Sequence, residues 1–206
     1  MQTIAILSRK GGTGKTMLAT HLSVEAERNG HTTALIDLDP QASTAKWGEQ
    51  READTPAVIE APASRLEHWL EFVAENGATL AVIDTPPDID TFALKIARIS
   101  SFVVIPCGTS KADLEANEGI MDVVAMANVP GRIVLNHVTA NSDLGFEARK
   151  ATKNYNVPCA PCQIGRRVGF IHAYNSGSVV QEIEPKSKSA REIRALFRYI
   201  IKQMGV

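Results

Sequence analysis

The sequence predicts an α/β fold: a doubly wound, mainly parallel sheet flanked by helices, built as one domain over residues 1–206. Three observations predict it. Short continuous apolar runs recur at residues 3–7, 33–37, 80–84, 102–106 and 132–136. Longer helical patterns separate them. The first run leads through a glycine-rich loop directly into one of those helices. Runs that stay apolar without alternating suit strands covered on both faces, as in a parallel sheet. Their alternation with helices reads as βαβ units, whose crossovers are right-handed and whose ligands sit at the carboxyl ends of the strands.

Each element carries local signals. The helix over 15–29 stops at Gly30, and that over 64–75 stops near Asn76-Gly77. Residues 53–64, with Pro56 and Pro62, read as an irregular insertion. A helix starting near Thr91 takes Asp88 and Asp90 as caps. Further amphipathic patterns cover 113–127 and 189–203. In the last, Arg191, Arg194, Arg198 and Lys202 follow a helical stride opposite a stripe of Ile193, Leu196, Phe197, Ile200 and Ile201.

Composition narrows the function classes. With 44% hydrophobic and 22% charged residues, the chain is an ordinary globular sequence and not a disordered one. No apolar run approaches the roughly 20 residues that span a bilayer. The first apolar stretch lacks a basic leader and a cleavage site, so the expected location is the cytoplasm. Three cysteines, an odd number, argue against a disulfide scaffold. The net charge of −1 conceals an asymmetry. Residues 1–100 carry 9 Lys/Arg against 14 Asp/Glu, whereas the chain from Arg132 onward carries 12 against 5, a net +7. Such a basic region suits nucleic acid or a solvated basic face.

The chemistry concentrates at three strand ends. The first strand opens into Lys10-Gly11-Gly12-Thr13-Gly14-Lys15-Thr16 and then a helix. Glycines let backbone N–H groups converge on phosphates, and the helix N-terminus adds its positive end. Lys15 would reach the β- and γ-phosphates and the Thr16 hydroxyl would ligate Mg²⁺. The usual pattern has a glycine six residues before that lysine. Here Arg9 stands there, and a second lysine, Lys10, precedes the glycine pair. The second strand ends in Asp37-Leu38-Asp39-Pro40-Gln41. The third ends in Ile83-Asp84-Thr85-Pro86-Pro87, an apolar run then a carboxylate, suited to holding Mg²⁺ through water.

The run Lys-Gly-Gly-x-Gly-Lys-Thr resembles the deviant Walker A motif of the ParA/MinD superfamily of P-loop ATPases, in particular the small ParA/ParF-type partition ATPases. The resemblance spans nearly the whole chain, is sharp at residues 9–16, 35–41 and 81–87, and is loose after 130. It implies that ATP or ADP binds residues 10–17, including Met17. It implies that Lys10 crosses an ATP-sandwich homodimer to the partner's nucleotide and acts in catalysis with Lys15. Asp39 would position the attacking water, and Asp37, with Thr16 and Asp84, would hold Mg²⁺ and its water shell. Pro40 and Gln41 would open one switch loop, and Thr85-Pro86-Pro87 another. Residues 104–110, followed by Asp113-Leu114, are similar to the family's dimer-face turn, with Cys107 and Gly108 as departures. Asn136 reads either as an adenine contact or as an ordinary polar strand end. Residues 157–177 resemble a late strand-and-helix segment near the base.

The implied function is DNA partition. A Mg-ATP dimer binds DNA non-specifically at the nucleoid, and a ParB/ParG-like centromere-binding partner stimulates hydrolysis. With the first strand starting at residue 2 or 3, no helix-turn-helix is expected before it. Three rival readings stand beside it. A MinD-like ATPase would use the last helix as a membrane anchor, although a helix packed on the sheet is the expectation for so broad an apolar face. An Mrp-type iron–sulfur carrier would use Cys159-Ala160-Pro161-Cys162 with a second chain's pair. A synthetase-type relative would activate a small carboxylate.

Overall fold

The computed structural model describes residues 1–87 and 90–205, apart from the side chain of Asp90. The expected capping by Asp88 and Asp90 therefore lies outside the described residues. The elements run β1 (Gln2–Ile6), α1 (Lys15–Arg28), β2 (Thr33–Asp37), α2 (Ser43–Glu49), β3 (Ala57–Glu60), α3 (Leu66–Glu75), β4 (Leu80–Asp84) and α4 (Asp90–Ile99). They continue with β5 (Phe102–Cys107), α5 (Lys111–Ala116), α6 (Glu118–Ala127), β6 (Gly131–Leu135), α7 (Leu144–Ala151), α8 (Val168–Asn175), α9 (Val180–Ile183) and α10 (Lys188–Met204).

The six strands form one sheet in the order β3-β2-β4-β1-β5-β6, and every pairing is parallel. Successive side chains of each strand enter opposite layers. Ile4, Ile6, Leu35, Val82 and Val104 join one core with α1 and α10. Ala5, Leu7, Ile36, Ile83 and Val103 join the other with α4 and α6. Both faces are thus apolar, which is why the runs do not alternate. β1 and β4 lie side by side, yet β1 leads through α1 to β2 and β4 leads through α4 to β5 on the other flank. Their divergence opens the crevice at the carboxyl ends in which such sheets bind ligands. The register sets Asp84 opposite both Ile6 and Asp37, so two aspartates meet at the floor of that crevice.

The structure departs from expectation in four places. Residues 57–60 form the edge strand β3 where an irregular insertion was expected. An edge strand pairs on one side, and the exposure of Ala57 and Glu60 removes the buried apolar run that marks the other strands. The short helix α2 follows the Asp-Pro-Gln turn without a sequence pattern of its own. The helix expected over 113–127 divides at the fully buried Asn117, whose side-chain amide donates to the Asp113 carbonyl at 3.1 Å. The strand expected near Cys159 is reduced to isolated bridges, Ile133 with Cys159 and Val138 with Gly165. Pro158 and Pro161 supply no N–H to a ladder there.

The last helix packs on the sheet as expected. Ile193, Leu196, Phe197 and Ile200 are buried, while Arg191, Arg198 and Lys202 face outward. Among the described residues, no helix is long and apolar enough to cross a membrane.

Candidate active site

Residues 9–16 turn from β1 into α1 at the mouth of the crevice. Gly14 caps α1 in the left-handed region, with φ 91°, and no side chain caps the helix. The first N–H groups of α1 are therefore directed into the loop, where an anion would satisfy them. A Cβ on Gly14 would collide with the Asn136 side-chain amide, so glycine is required for space as well as for φ. Asn136 is buried one residue beyond β6. Its Nδ2 donates to the Thr13 carbonyl at 2.7 Å and its Oδ1 accepts from the His137 N–H at 2.8 Å. It thus stands behind the glycine loop and braces it. The Thr13 hydroxyl donates to Ser8 at 3.1 Å, and Ser8 donates to Asn117 Oδ1 at 2.9 Å. These bonds tie the loop to the junction of α5 and α6. Nothing stands within 4 Å of a Cβ built on Gly11 or Gly12, so the outer side of the loop is open. The ammonium of the buried Lys15 donates to the Lys10 carbonyl at 3.3 Å.

The carboxylates are arranged unequally. Asp84 is fully buried, and its Oδ2 accepts two hydroxyls, Thr16 at 2.7 Å and Thr44 at 2.6 Å. Its Oδ1 is buried with no hydrogen-bond partner among the described residues. Burial pushes the Asp84 carboxyl up to about 6, against the pull of the two hydroxyls. Asp37 accepts the N–H of Asp39 on Oδ1 at 2.9 Å, and those of Thr44 and Ala45 on Oδ2 at 2.9 and 3.0 Å. It therefore caps α2, and burial raises its pKa despite those bonds. Asp39 lies nearer the surface and accepts the Gln41 N–H at 2.9 Å, which closes the turn after β2.

Lys10 and its surroundings explain two oddities of the sequence. The Lys10 ammonium, about half exposed, meets Asp113 Oδ1 at 2.7 Å. That bond raises the lysine's pKa. Burial would raise the Asp113 carboxyl, but the bonds from Lys10 and Ser110 hold it below the usual range. Asp113 and Ser110 form a capping box at the start of α5. Gly108 leaves room for this carboxylate, since a Cβ there would collide with Asp113 Oδ2. Cys107 is a core residue, and burial pushes its thiol up to about 12. Cys159 and Cys162 are half-buried, with thiols likewise raised by burial.

Beside the loop lies a cavity of about 470 Å³, lined by Met17, His137, Arg166, Phe170 and Tyr174 among others. Arg166 and Arg167 arrive there on a turn held by α10, for Glu192 accepts the Gly165 N–H at 3.0 Å and pairs with Arg167 at 2.7 Å. Of the residues expected at the site, 10–17, Asp37, Asp39 and Asp84 gather at the crevice. Thr44 and Tyr174 were not expected, and Asp113, expected only beside the turn similar to the family's dimer face, is here the counter-ion of Lys10. The Ser110-x-x-Asp113 spacing is a legible capping signal. Thr44 carries no signal of its own.

A family model described as the CobQ/CobB/MinD/ParA nucleotide binding domain matches residues 4–180. The chain belongs to this family. Its curated relatives include the maintenance of carboxysome distribution protein A of Halothiobacillus neapolitanus, 23% identical over 97% of this chain and 96% of that one. The protein of the same name from Gloeobacter kilaueensis is 27% identical over 98% and 94%. The chromosome-partitioning ATPase Soj of Thermus thermophilus is 25% identical over 61% of each chain. The septum site-determining protein MinD of Pyrococcus horikoshii, solved with Mg-ADP, shares the fold with a TM-score of 0.79 at 18% identity over 99% of this chain and 97% of that one. The family is one of P-loop nucleotide-binding proteins, and this chain presents its loop, strand-end carboxylates and parallel sheet in one place.

Proposed function

We propose that the chain is an ATPase of the partition type, which dimerises around Mg-ATP, binds DNA non-specifically and is reset by hydrolysis when a cargo-bound partner stimulates it. One observation carries the ATPase reading. At an uncapped helix N-terminus, the Thr16 hydroxyl and the Asp84 carboxylate meet with one buried oxygen, Asp84 Oδ1, still lacking a partner among the described residues. A buried acceptor of that kind suits a cation and its waters, so magnesium fits this donor set. Thr16 and Asp84 would hold it with Asp37 supporting its water shell, and it would offset charge on the β- and γ-phosphates. The residues themselves divide the remaining work. The backbone of 11–16 and the Lys15 ammonium bind the phosphates, and Met17 lines the adjoining cavity, which suits the base. Asn136 acts there by bracing the loop. Asp39 orients the attacking water. Lys10 leaves Asp113 to reach the nucleotide of the second subunit, where its charge favours phosphoryl transfer.

For the cargo, a small ParB/ParG-like centromere-binding protein is the partner we assign, supported by the likeness to Soj. A second reading, a protein-shelled cargo, is favoured by the two carboxysome-distribution relatives, which match almost the whole chain. Both need ATP-gated DNA binding. Purified protein over a DNA-coated surface should bind with Mg-ATP and wash off with Mg-ADP. Equal retention with either nucleotide overturns the proposal. Cross-linking in cells then separates the cargoes, capturing either a centromere-binding protein or an adaptor of a protein shell.

A further inference from the structure

We propose that Thr44 is a positioning residue of this site, whose hydroxyl fixes the Asp84 carboxylate and ties α2 to the place where magnesium would be held. The inference rests on the ATPase reading above.

Thr44 is fully buried. Its hydroxyl donates to Asp84 Oδ2 at 2.6 Å and its backbone N–H donates to Asp37 Oδ2 at 2.9 Å. One residue thus bridges the aspartates that end two neighbouring strands, which are register partners. The hydroxyl has no part in capping α2, because Asp37 already accepts the N–H groups of Thr44 and Ala45. A valine would fill the same volume without burying a hydroxyl, and burying one is unfavourable unless it is bonded. The bond to Asp84 is therefore what the hydroxyl contributes.

That bond decides where Asp84 points. A carboxylate rotates freely unless its oxygens are held. Here Thr16 and Thr44 both donate to Oδ2, and Oδ1 is left buried with no partner among the described residues. A hydroxyl that ligates a cation through an oxygen lone pair can still donate its hydrogen, so Thr16 would serve the cation and Asp84 together. Thr44 holds Oδ2 from outside the cation's own ligands, so the carboxylate keeps its aim in both states. Thr44 also follows the turn of Asp39, Pro40 and Gln41 by a few residues. The aim of Asp84 and the placement of that turn are consequently set by one helix. Outer hydrogen bonds of this kind typically change metal affinity by about 10- to 100-fold when removed.

The test compares the full-length wild type with Thr44→Val and Thr44→Ser. Binding of a fluorescent ADP is followed across a Mg²⁺ series and again in EDTA, and metal-free melting is recorded for each chain. Thr44→Val should raise the Mg²⁺ concentration for half-maximal binding about tenfold or more. ADP affinity in EDTA should not change. Thr44→Ser, which keeps the hydroxyl, should return the midpoint to within about threefold of wild type. An unchanged midpoint in Thr44→Val overturns the proposal, and so does a Thr44→Ser chain as defective as Thr44→Val, since packing would then be the cause. If Thr44→Val does not fold, Thr44→Ala takes its place in the same comparison. A wild type that binds ADP without any response to Mg²⁺ overturns the ATPase reading itself, a result distinguishable because all the chains then behave alike.

Discussion

At the scale of single residues, the site sets stability against function. Burial raises the folded-state pKa of Asp84 to about 6 from an ordinary 3.8, so the ionised carboxylate destabilises the empty protein above pH 6. The sign follows from linkage: a raised carboxyl favours the folded state as pH falls from about 6 towards 3.8. Asp84→Asn should therefore stabilise the nucleotide-free protein at pH 7.5 by about 1–2 kcal/mol while abolishing Mg²⁺-dependent nucleotide binding, measured by urea unfolding and fluorescent ADP. His21 acts in the opposite sense. It is buried in α1, its Nδ1 lies 2.7 Å from the Met17 carbonyl, and its Nε2 accepts the Val180 N–H at 3.2 Å. Burial lowers its pKa to about 4 from 6.5. The unfolded chain therefore takes up the proton first, and this contribution to stability is lost as pH falls from about 6.5 to 4. In the Asp84→Asn background the acid loss should be steeper, because the opposing carboxyl is gone. Lys15→Ala should abolish nucleotide binding. Lys10→Ala should leave it intact in the monomer and slow turnover, because its counter-ion Asp113 lies outside the loop that binds phosphate; normal phosphate release in that variant would remove Lys10 from the mechanism.

At the scale of elements, α2 joins the aspartates at the ends of β2 and β4. α2 has seven residues, too few to hold its shape alone. It is clamped from outside: the Trp47 indole donates to the Ser178 carbonyl at 3.0 Å, the Tyr174 hydroxyl donates to the Ser43 carbonyl at 2.8 Å, and Arg51 pairs with Glu182 at 2.6 Å. Tyr174 also lines the cavity beside the loop, so α2 and that cavity share a wall. Arg51→Ala should cost about 1–2 kcal/mol in urea unfolding, less than a fully buried pair because Glu182 is partly solvated. The same clamps mark the limit of what local sequence can specify. β1, β2 and β4 were legible because each joins an uninterrupted apolar run to a chemical signature at its carboxyl end. Gly14, Lys15, Thr16 and Asp84 follow from that local pattern. α2 and β3 were not legible because the groups that clamp this corner, Ser178, Tyr174 and Glu182, lie more than a hundred residues away. Thr44 and Asp113 acquire meaning only when the fold brings them against Asp84 and Lys10. Asn136 was legible as a polar strand end, but its grip on Thr13 depends on β6 lying two strands from β1.

At the scale of the whole molecule, charge and fold divide the labour between two ends of the chain. The acidic first half supplies the phosphate loop and the strand-end carboxylates, and the basic last third, at net +7, supplies α10 and most of the lining of the adjoining cavity. Because Ile193, Leu196, Phe197 and Ile200 are committed to the core, α10 has little apolar surface left for a bilayer, and its outer face is a row of cations. Under the proposed function, such a row would bind phosphate backbones without reading bases and release counterions as it does so. The same helix carries Glu192, which holds the Gly165–Arg167 turn at the cavity. One side chain of α10 thus contacts the turn that lines the cavity. If the proposed function holds, affinity for DNA with Mg-ATP should fall steeply with salt and be alike for unrelated duplexes of equal length. Arg191→Ala with Arg198→Ala should weaken that binding uniformly and lower the slope of log affinity against log salt by about one for each phosphate the variant no longer neutralises. The measurement is fluorescence anisotropy at several salt concentrations. A variant with wild-type slope would move the DNA-binding face away from α10. A weakening confined to one sequence would require base readout, which a row of arginines and lysines on the outside of a packed helix does not supply.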